Sequence, residues 1–167
     1  MMGSILRRCT IRISVCVVAV ALAALQAQAA SLDLGSALAS PGESVTLPLT
    51  LSGSDGIVSL STDISIKSGI LGNPTVALSP AALAAGKEIF YNVLSRGVLR
   101  IGILGYNLND IPEGLVAEVT FDLKSGICLR KNIPLKNRPG AADAEGRPVA
   151  ITGESGTIRI IPALLAE

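Results

Sequence analysis

Glu118 and Asp122 are the pair of carboxylates whose spacing could support catalysis. They alternate with apolar residues in the stretch 115–124, so on a β-strand they would share one face. Two carboxylates flanking a sugar ring are what glycosidases use, with one acid of raised pKa. Lys124 lies on the same face, and a nearby cation lowers a carboxyl pKa instead of raising it. We therefore predict no catalysis from this pair.

Other common catalytic groups are missing from the sequence. The chain has no histidine, which excludes Ser-His-Asp and Cys-His systems and imidazole metal ligands. Cys128 is the only cysteine beyond the first 29 residues. Without a histidine to activate its thiol, we predict that Cys128 is a small buried apolar residue. The sequence thus predicts that the protein is not an enzyme.

The segment 105–114 is the longest polar connection in the chain. It places a tyrosine beside amides and a carboxylate, namely Tyr106, Asn107, Asn109 and Asp110. This chemistry suits a sugar, which offers one apolar face and several hydroxyl groups. Asparagine and aspartate also form turns through hydrogen bonds to the local backbone. The segment is a candidate carbohydrate site, with a structural turn as the alternative.

Two acidic pairs near turns offer oxygen ligands for calcium. They are Asp143 with Glu145 and Asp110 with Glu113. Neither spacing matches a complete calcium-binding loop, which supplies many oxygen ligands at fixed positions. We predict no metal site and no cofactor.

The composition argues against a nucleic-acid partner. The chain has 14 basic and 13 acidic side chains, two Phe, two Tyr and no Trp. Nucleic-acid binders usually carry an excess of cations, and a stacking platform for bases or sugars needs several aromatic rings. We therefore predict that the protein does not bind nucleic acid.

The first 29 residues have the organisation of a secretory signal peptide. Arg7, Arg8 and Arg12 precede the uncharged run from Ile13 to Ala30, and Ala27-Gln28-Ala29 provides a small-x-small cleavage site. A membrane anchor is the alternative, because this run of 18 residues is close to the minimum spanning length. The short apolar centre and the cleavage site favour a signal peptide. We predict a signal peptide at 1–29, one domain at 30–167, a secreted or periplasmic location, and no membrane span after cleavage.

Beyond this leader the dominant period is two, which is typical of half-buried strands. The clearest alternation covers 45–51, 58–67, 99–103 and 115–124, with Gly, Pro, Asn and Asp at the predicted turns. One helical turn is predicted, capped by Ser79, with Pro80 at its first position and Gly86 after its end. We predict an all-β fold, a nine-stranded antiparallel β-sandwich with one short helical turn.

Individual residues add further expectations. Pro48 cannot donate a ladder hydrogen bond, so its strand should lie at a sheet edge or carry a bulge. One of the rings of Phe90 and Tyr91, on opposite faces of one strand, should lie in the core.

Four polar side chains occupy alternate positions of a single predicted strand. They are Ser59, Ser61, Asp63 and Ser65. Such a row either contacts a partner or is a solvated strand face.

Three stretches together resemble one known family. Leu32 to Leu51, where Pro41-Gly42 leads into a strand with a central Pro48, is similar to the opening of cohesin domains. Gly114 to Gly126 resembles the family's late strand, and Ala142 to Val149 with Gly156 to Ile160 resembles its closing hairpin. The resemblance covers nearly all of residues 31–161. It implies a nine-stranded jelly-roll sandwich, related in fold to cellulose-binding modules.

The resemblance implies a noncatalytic role in polysaccharide-related or cell-surface assemblies. The partner would be a dockerin-type or cell-surface protein, bound through Ser59, Ser61, Asp63 and Ser65. The alternative is a carbohydrate-binding module that recognises a polysaccharide through the loop containing Tyr106. Cellulosomal cohesins present Asn and Asp where this chain has Ser59 and Ser61, so these charge-assisted contacts are replaced by hydroxyl groups.

Overall fold

The computed structural model of the protein describes residues 29–94, 97–127 and 131–161. Most of the predicted signal peptide, residues 1–28, and Cys128 lie outside these residues. Thirteen strands and one helix are described. They are β1 (Ala30–Leu34), β2 (Ala37–Ala39), β3 (Ser44–Ser52), β4 (Ser59–Ser65), β5 (Leu71–Leu78), α1 (Pro80–Ala84), β6 (Glu88–Leu94), β7 (Val98–Leu104), β8 (Gly114–Leu123), β9 (Lys131–Leu135), β10 (Asn137–Ala142), β11 (Pro148–Val149), β12 (Ile151–Thr152) and β13 (Gly156–Ile160).

The strands form two five-stranded sheets and a smaller sheet of three. The first sheet has the order β12-β1-β3-β8-β5, the second β11-β10-β4-β7-β6, and the third β2-β13-β9. Alternate residues of the strands form one apolar core, as the period of two predicts. Its fully buried members include Leu47, Leu49, Ile64, Leu99, Ile101, Ile103, Val119 and Phe121.

The predicted all-β sandwich is confirmed, but the predicted number of nine strands is wrong. Three extended stretches each supply strands to two sheets, because the chain changes sheet between β1 and β2, between β9 and β10, and between β11 and β12. Eight of the ten strand pairings in the described part of the chain are antiparallel. The pairs β1–β12 and β2–β13 are parallel.

A β-bulge in β8 interrupts the predicted alternation. The register of β3 with β8 shifts between Leu49 and Thr50. Val116 is fully buried as a result, whereas Leu115 is 38% exposed. The predicted alternation over 115–124 would bury Leu115 and expose Val116, and it is wrong at these two positions because a bulge inserts one residue into the strand. Pro48 lies in an interior strand opposite Glu118, and the extra residue of the bulge belongs to β8. Neither predicted position, at a sheet edge or in a bulged strand, is therefore found for Pro48. The proline is tolerated because the pairing of β1 with β3 ends at Leu49, one residue short of the proline.

Helix α1 begins and ends as predicted. The Ser79 hydroxyl accepts a hydrogen bond from the backbone N–H of Ala82 at 3.2 Å, and Pro80 occupies the first turn. Gly86 follows the helix with a φ of 74°, a left-handed conformation that favours glycine.

Asn137 connects the two large sheets through buried hydrogen bonds. Its side-chain oxygen accepts from the Thr62 hydroxyl of β4. Its amide nitrogen donates to the backbone carbonyl of Leu32 in β1, and to that of Glu154 at 3.3 Å. Since buried polar groups need partners, this residue satisfies groups on both sides of the core.

Lys87, just after α1, is buried and only 1% exposed. Its ammonium donates to the side-chain oxygen of Asn107 at 3.1 Å. The Asn107 amide in turn donates to the backbone carbonyls of Ala85 and Gly86. Burial lowers the pKa of Lys87, and the carboxylate of Asp110 partly opposes this effect. The long loop after β7 is thus fastened to the turn after α1.

We expect Asn137→Ala to lower the free energy of unfolding by about 2–4 kcal/mol, because it leaves buried groups on both sheets without partners. Urea unfolding followed by far-UV circular dichroism measures the change. Asn92→Ala is the matched control, since Asn92 is exposed on β6 and should change stability by less than about 0.5 kcal/mol. Equal effects of the two variants would contradict the role of Asn137.

We expect the stability of the wild type to rise with pH as pH approaches the ordinary lysine pKa of 10.5. Because the pKa of Lys87 is lowered in the folded state, the unfolded chain binds more protons between the two pKa values, so unfolding becomes less favourable as pH rises there. Lys87→Met should remove this increase, whereas Lys136→Met, at an exposed lysine, should retain it. Urea unfolding at a series of alkaline pH values tests this, and identical slopes for Lys87→Met and the wild type would refute it.

Candidate functional site

Ser59, Ser61, Asp63 and Ser65 lie side by side on the solvent side of β4. The residues between them are buried, so the alternation fixes their direction. β4 is the central strand of the second sheet, between β10 and β7. The same side of the sheet is exposed or half-buried throughout, and we call it the outer face. It consists of Arg138, Gly140 and Ala142 of β10, Ser59, Ser61, Asp63 and Ser65 of β4, Val98, Arg100, Gly102 and Leu104 of β7, and Glu88, Phe90, Asn92 and Leu94 of β6.

Ser61 lies at the centre of the outer face, in a shallow depression. The strand register places Gly140 on one side of it and Gly102 on the other, with Phe90 beyond Gly102. Since neither glycine has a side chain, a cavity of about 330 Å³ opens here between Leu104 and β10. The Ser61 hydroxyl donates a long hydrogen bond of 3.4 Å to the carbonyl of Gly140. A protruding group of a partner could enter this depression and replace that bond.

Asp63 forms a two-pronged ion pair across the outer face. The Nε and Nη2 atoms of Arg100 each donate to one of its carboxylate oxygens at 2.7 Å. This hydrogen bonding to Arg100 lowers the pKa of Asp63 despite partial burial, and the charge of Arg138 lowers it further. Both oxygens of Asp63 are therefore already occupied, and the carboxylate positions Arg100.

Two cations beside this ion pair remain available to a partner. Within the described residues, the side chains of Arg138 and Lys136 form no hydrogen bond or ion pair. They line, with Asp63, Ser65 and Val98, a cavity of about 220 Å³. The Ser65 hydroxyl is engaged, since it accepts a hydrogen bond from the backbone N–H of Lys136 at 3.1 Å. This end of the outer face carries net positive charge.

The second predicted group, in the loop after β7, uses most of its polar atoms within the chain. Asn107 holds the turn after α1, and Asn109 donates to the Ala85 carbonyl at 3.1 Å. The Asp110 carboxylate accepts from the backbone N–H of Gly56 at 3.2 Å. The side chain of Tyr106 is fully exposed. These contacts are those of a structural turn, and a sugar site here stays a prediction.

The loop after β7 also packs closely against the turn after α1, which leaves no room for a side chain at the first residue of the loop, Gly105. A Cβ atom on Gly105 would lie 2.3 Å from the carbonyl oxygen of Gly86. Close backbone contact therefore requires glycine here, and it holds the loop in place.

Asp122, one of the two candidate carboxylates on β8, has the lowered pKa that the sequence predicts, but for a different reason. Hydrogen bonds from the Ser44 hydroxyl at 2.7 Å and from the Asn73 amide at 3.0 Å lower the pKa of Asp122. Lys124, the expected cause, instead donates to the carbonyl of Ser68. An ionised Asp122 of this kind is unsuited to act as the general acid of a glycosidase.

The other acidic candidates serve in turns. Asp143 accepts hydrogen bonds from the backbone of Glu145 and from both the backbone and side chain of Arg147. Among the described residues, no three cysteine or acidic side chains converge as metal ligands would. In the described part of the chain, no helix is long and apolar enough to cross a membrane.

Comparison with known proteins gives likenesses in structure alone. No protein-family model matches the chain, and no curated protein sequence matches it. A non-cellulosomal cohesin from the archaeon Archaeoglobus fulgidus superimposes with a TM-score of 0.67 at 22% identity, covering 80% of this chain and 91% of that one.

Two cohesins solved in complex with dockerins are equally similar. The sixth cohesin of scaffoldin B from Acetivibrio cellulolyticus, solved with a Cel5 dockerin variant, gives a TM-score of 0.68 at 20% identity, covering 80% of this chain and 99% of that one. The OlpA cohesin of Clostridium thermocellum, also solved with a dockerin, gives 0.70 at 18% identity, with the same coverage. The chain is therefore a cohesin-like domain in its fold.

Proposed function

We propose that this domain is a noncatalytic module that docks a protein partner through its outer face. The observation that carries the proposal is the outer face, which is exposed or half-buried among the described residues and has a central depression bordered by an exposed aromatic ring and by charged groups. Cohesins of the same fold have been solved with dockerins bound, which supports a protein as the partner.

The shape of the outer face fits a protein better than a small ligand. Small-molecule sites are concave and enclose most of the ligand, whereas this surface is a sheet face with shallow depressions. Protein interfaces have a central region of close packing with aromatic and arginine side chains as anchors. Phe90, which is 53% exposed, and Arg100 have the chemistry and position for this role.

The alternative, a carbohydrate-binding module, rests on Tyr106. Its ring is fully exposed and could stack on a sugar. The neighbouring amides of Asn107 and Asn109, however, already hold backbone carbonyls. We therefore place protein docking first.

We also propose that the protein is exported by the signal peptide at residues 1–29 and acts in extracellular or cell-surface, polysaccharide-related assemblies. The position of β1 supports the cleavage site, because this strand begins at Ala30. Cleavage after Ala29 would remove no residue of the sandwich.

We expect Ser61→Arg to weaken docking strongly, because a long charged side chain would fill the central depression. The exported protein is immobilised and incubated with the secreted proteins of the organism that produces it. A protein that is retained is identified and purified, and its binding to the wild type and to each variant is measured by calorimetric titration. Ser61→Arg should weaken its binding at least about 100-fold, or about 2.7 kcal/mol. Thr46→Arg introduces the same side chain on the exposed side of the first sheet and should bind like the wild type.

Two further results decide between the candidate functions. A partner that binds wild type and Ser61→Arg equally would contradict docking through the outer face. Retarded migration of the wild type in a polysaccharide gel, lost in Tyr106→Ala, would favour the carbohydrate-binding alternative.

For export, we expect the mature protein to begin at Ala30. N-terminal sequencing of the protein from culture medium or periplasm measures this directly. Ala29→Leu should leave the leader attached, because signal cleavage requires a small residue at this position. A mature protein that still begins near Met1 would contradict the proposed signal peptide.

A further inference from the structure

Strand β6 differs from every other sheet edge among the described residues. The six edge strands are β12, β5, β11, β6, β2 and β9. β11 and β12 have two residues each and β2 has three. β5 contains Pro74 and a register shift after Gly72, and β9 contains Pro134 and Lys131. Short length, proline, irregular register and lysine are the features by which proteins prevent edge pairing.

β6 has none of these features. It is a regular strand of seven residues, Glu88–Leu94, in unbroken register with β7 along its whole length. In the described structure, no hydrogen bond from outside the sheet reaches its backbone. Exposed side chains lie on both of its faces, with Phe90 at 53%, Tyr91 at 44% and Val93 at 45%, whereas Ile89 and Leu94 are half-buried. The expectation that Phe90 or Tyr91 lies in the core is therefore wrong, because β6 is the last strand of its sheet.

We propose that β6 pairs in antiparallel orientation with β6 of a second copy of this chain. The second sheets of the two copies then form one continuous sheet of ten strands, five from each copy. This proposal concerns self-association and does not depend on the docking partner.

The sequence of β6 is complementary to itself in one register. Full overlap of the seven residues places Tyr91 opposite Tyr91, Ile89 opposite Val93, Phe90 opposite Asn92, and Glu88 opposite Leu94. The inner row is then apolar throughout, and close aromatic and β-branched pairs stabilise paired strands. A slip of one residue would set outer-face residues opposite inner ones, which the pleat disfavours.

Charge also favours a second copy. Glu88 is the only charged residue of β6, and it lies at the end of the strand. In the full-overlap register its partner is Leu94, so the two Glu88 carboxylates lie at opposite ends of the new interface. No like charges face each other in this register. Repulsion between facing like charges, the usual barrier to self-pairing of edge strands, is therefore absent.

Sedimentation velocity of the full exported protein tests the proposal over roughly 1 to 500 µM, since mass action shifts a weak dimer across such a range. The wild type should change from one chain to two. Val93→Lys should raise the dimer dissociation constant at least about 10-fold, because it places a cation in an apolar strand pair. Leu38→Lys, at an exposed apolar residue of another edge strand, β2, should dimerise like the wild type.

A monomeric wild type at all concentrations would overturn the proposal. So would a dimer that survives Val93→Lys, or one that Leu38→Lys also dissociates. Far-UV circular dichroism verifies that each variant is folded, and both positions are exposed enough for this to be expected.

Disulfide crosslinking tests the register independently of any effect on folding. In a Cys128→Ser background, Tyr91→Cys places two thiols directly opposite each other, at a separation that a disulfide can span. Mild oxidation should crosslink it rapidly. Glu88→Cys is the control, because its two thiols would be separated by six residues, roughly 20 Å. Equal crosslinking of both variants, or none for Tyr91→Cys, would refute the pairing.

Discussion

The apolar layer between the two five-stranded sheets is the interaction on which the rest of the structure depends. The long inner strands, such as β3, β4 and β7, contribute every second residue to this layer, so the residues between them face outwards. Cys128 is the only cysteine after the predicted leader, so residues 30–167 cannot form an internal disulfide. The core and the buried bonds of Asn137 therefore hold the sheets together. They also determine which side chains of β4 are presented on the outer face.

Local patterns in the sequence predict the parts of the fold that local interactions determine. The period of two correctly places Leu60, Thr62 and Ile64 inside, and Ser61 and Asp63 between them on the opposite face. The cap of α1 is likewise a short-range interaction, and it forms as expected. The strand count fails because the chain changes sheet within extended stretches. The prediction for Val116 fails as well, because the regular alternation in the sequence gives no sign of the bulge that buries this residue.

The chemistry of the outer face is harder to predict because it depends on residues distant in sequence. On the outer face, Asp63 and Arg100 are 37 positions apart. The same holds on the first sheet, where Ser44 and Asp122 are 78 positions apart. Each residue alone is an ordinary polar residue of a strand, and only the pairing of strands shows that these carboxylates are already bound. The two glycines that form the central depression, Gly102 and Gly140, come from different neighbours of β4. Strand order therefore creates this feature.

The uneven distribution of aromatic rings has a practical consequence. Phe121 is the only aromatic ring in the core, whereas both tyrosines are exposed, Tyr91 at 44% and Tyr106 completely. Because the chain has no tryptophan, these two tyrosines dominate its intrinsic fluorescence. Their emission reports mainly on the solvent-exposed surroundings of β6 and of the loop after β7. Quenching by a soluble agent would thus sense events at these two surfaces while remaining nearly insensitive to the packing of the interior.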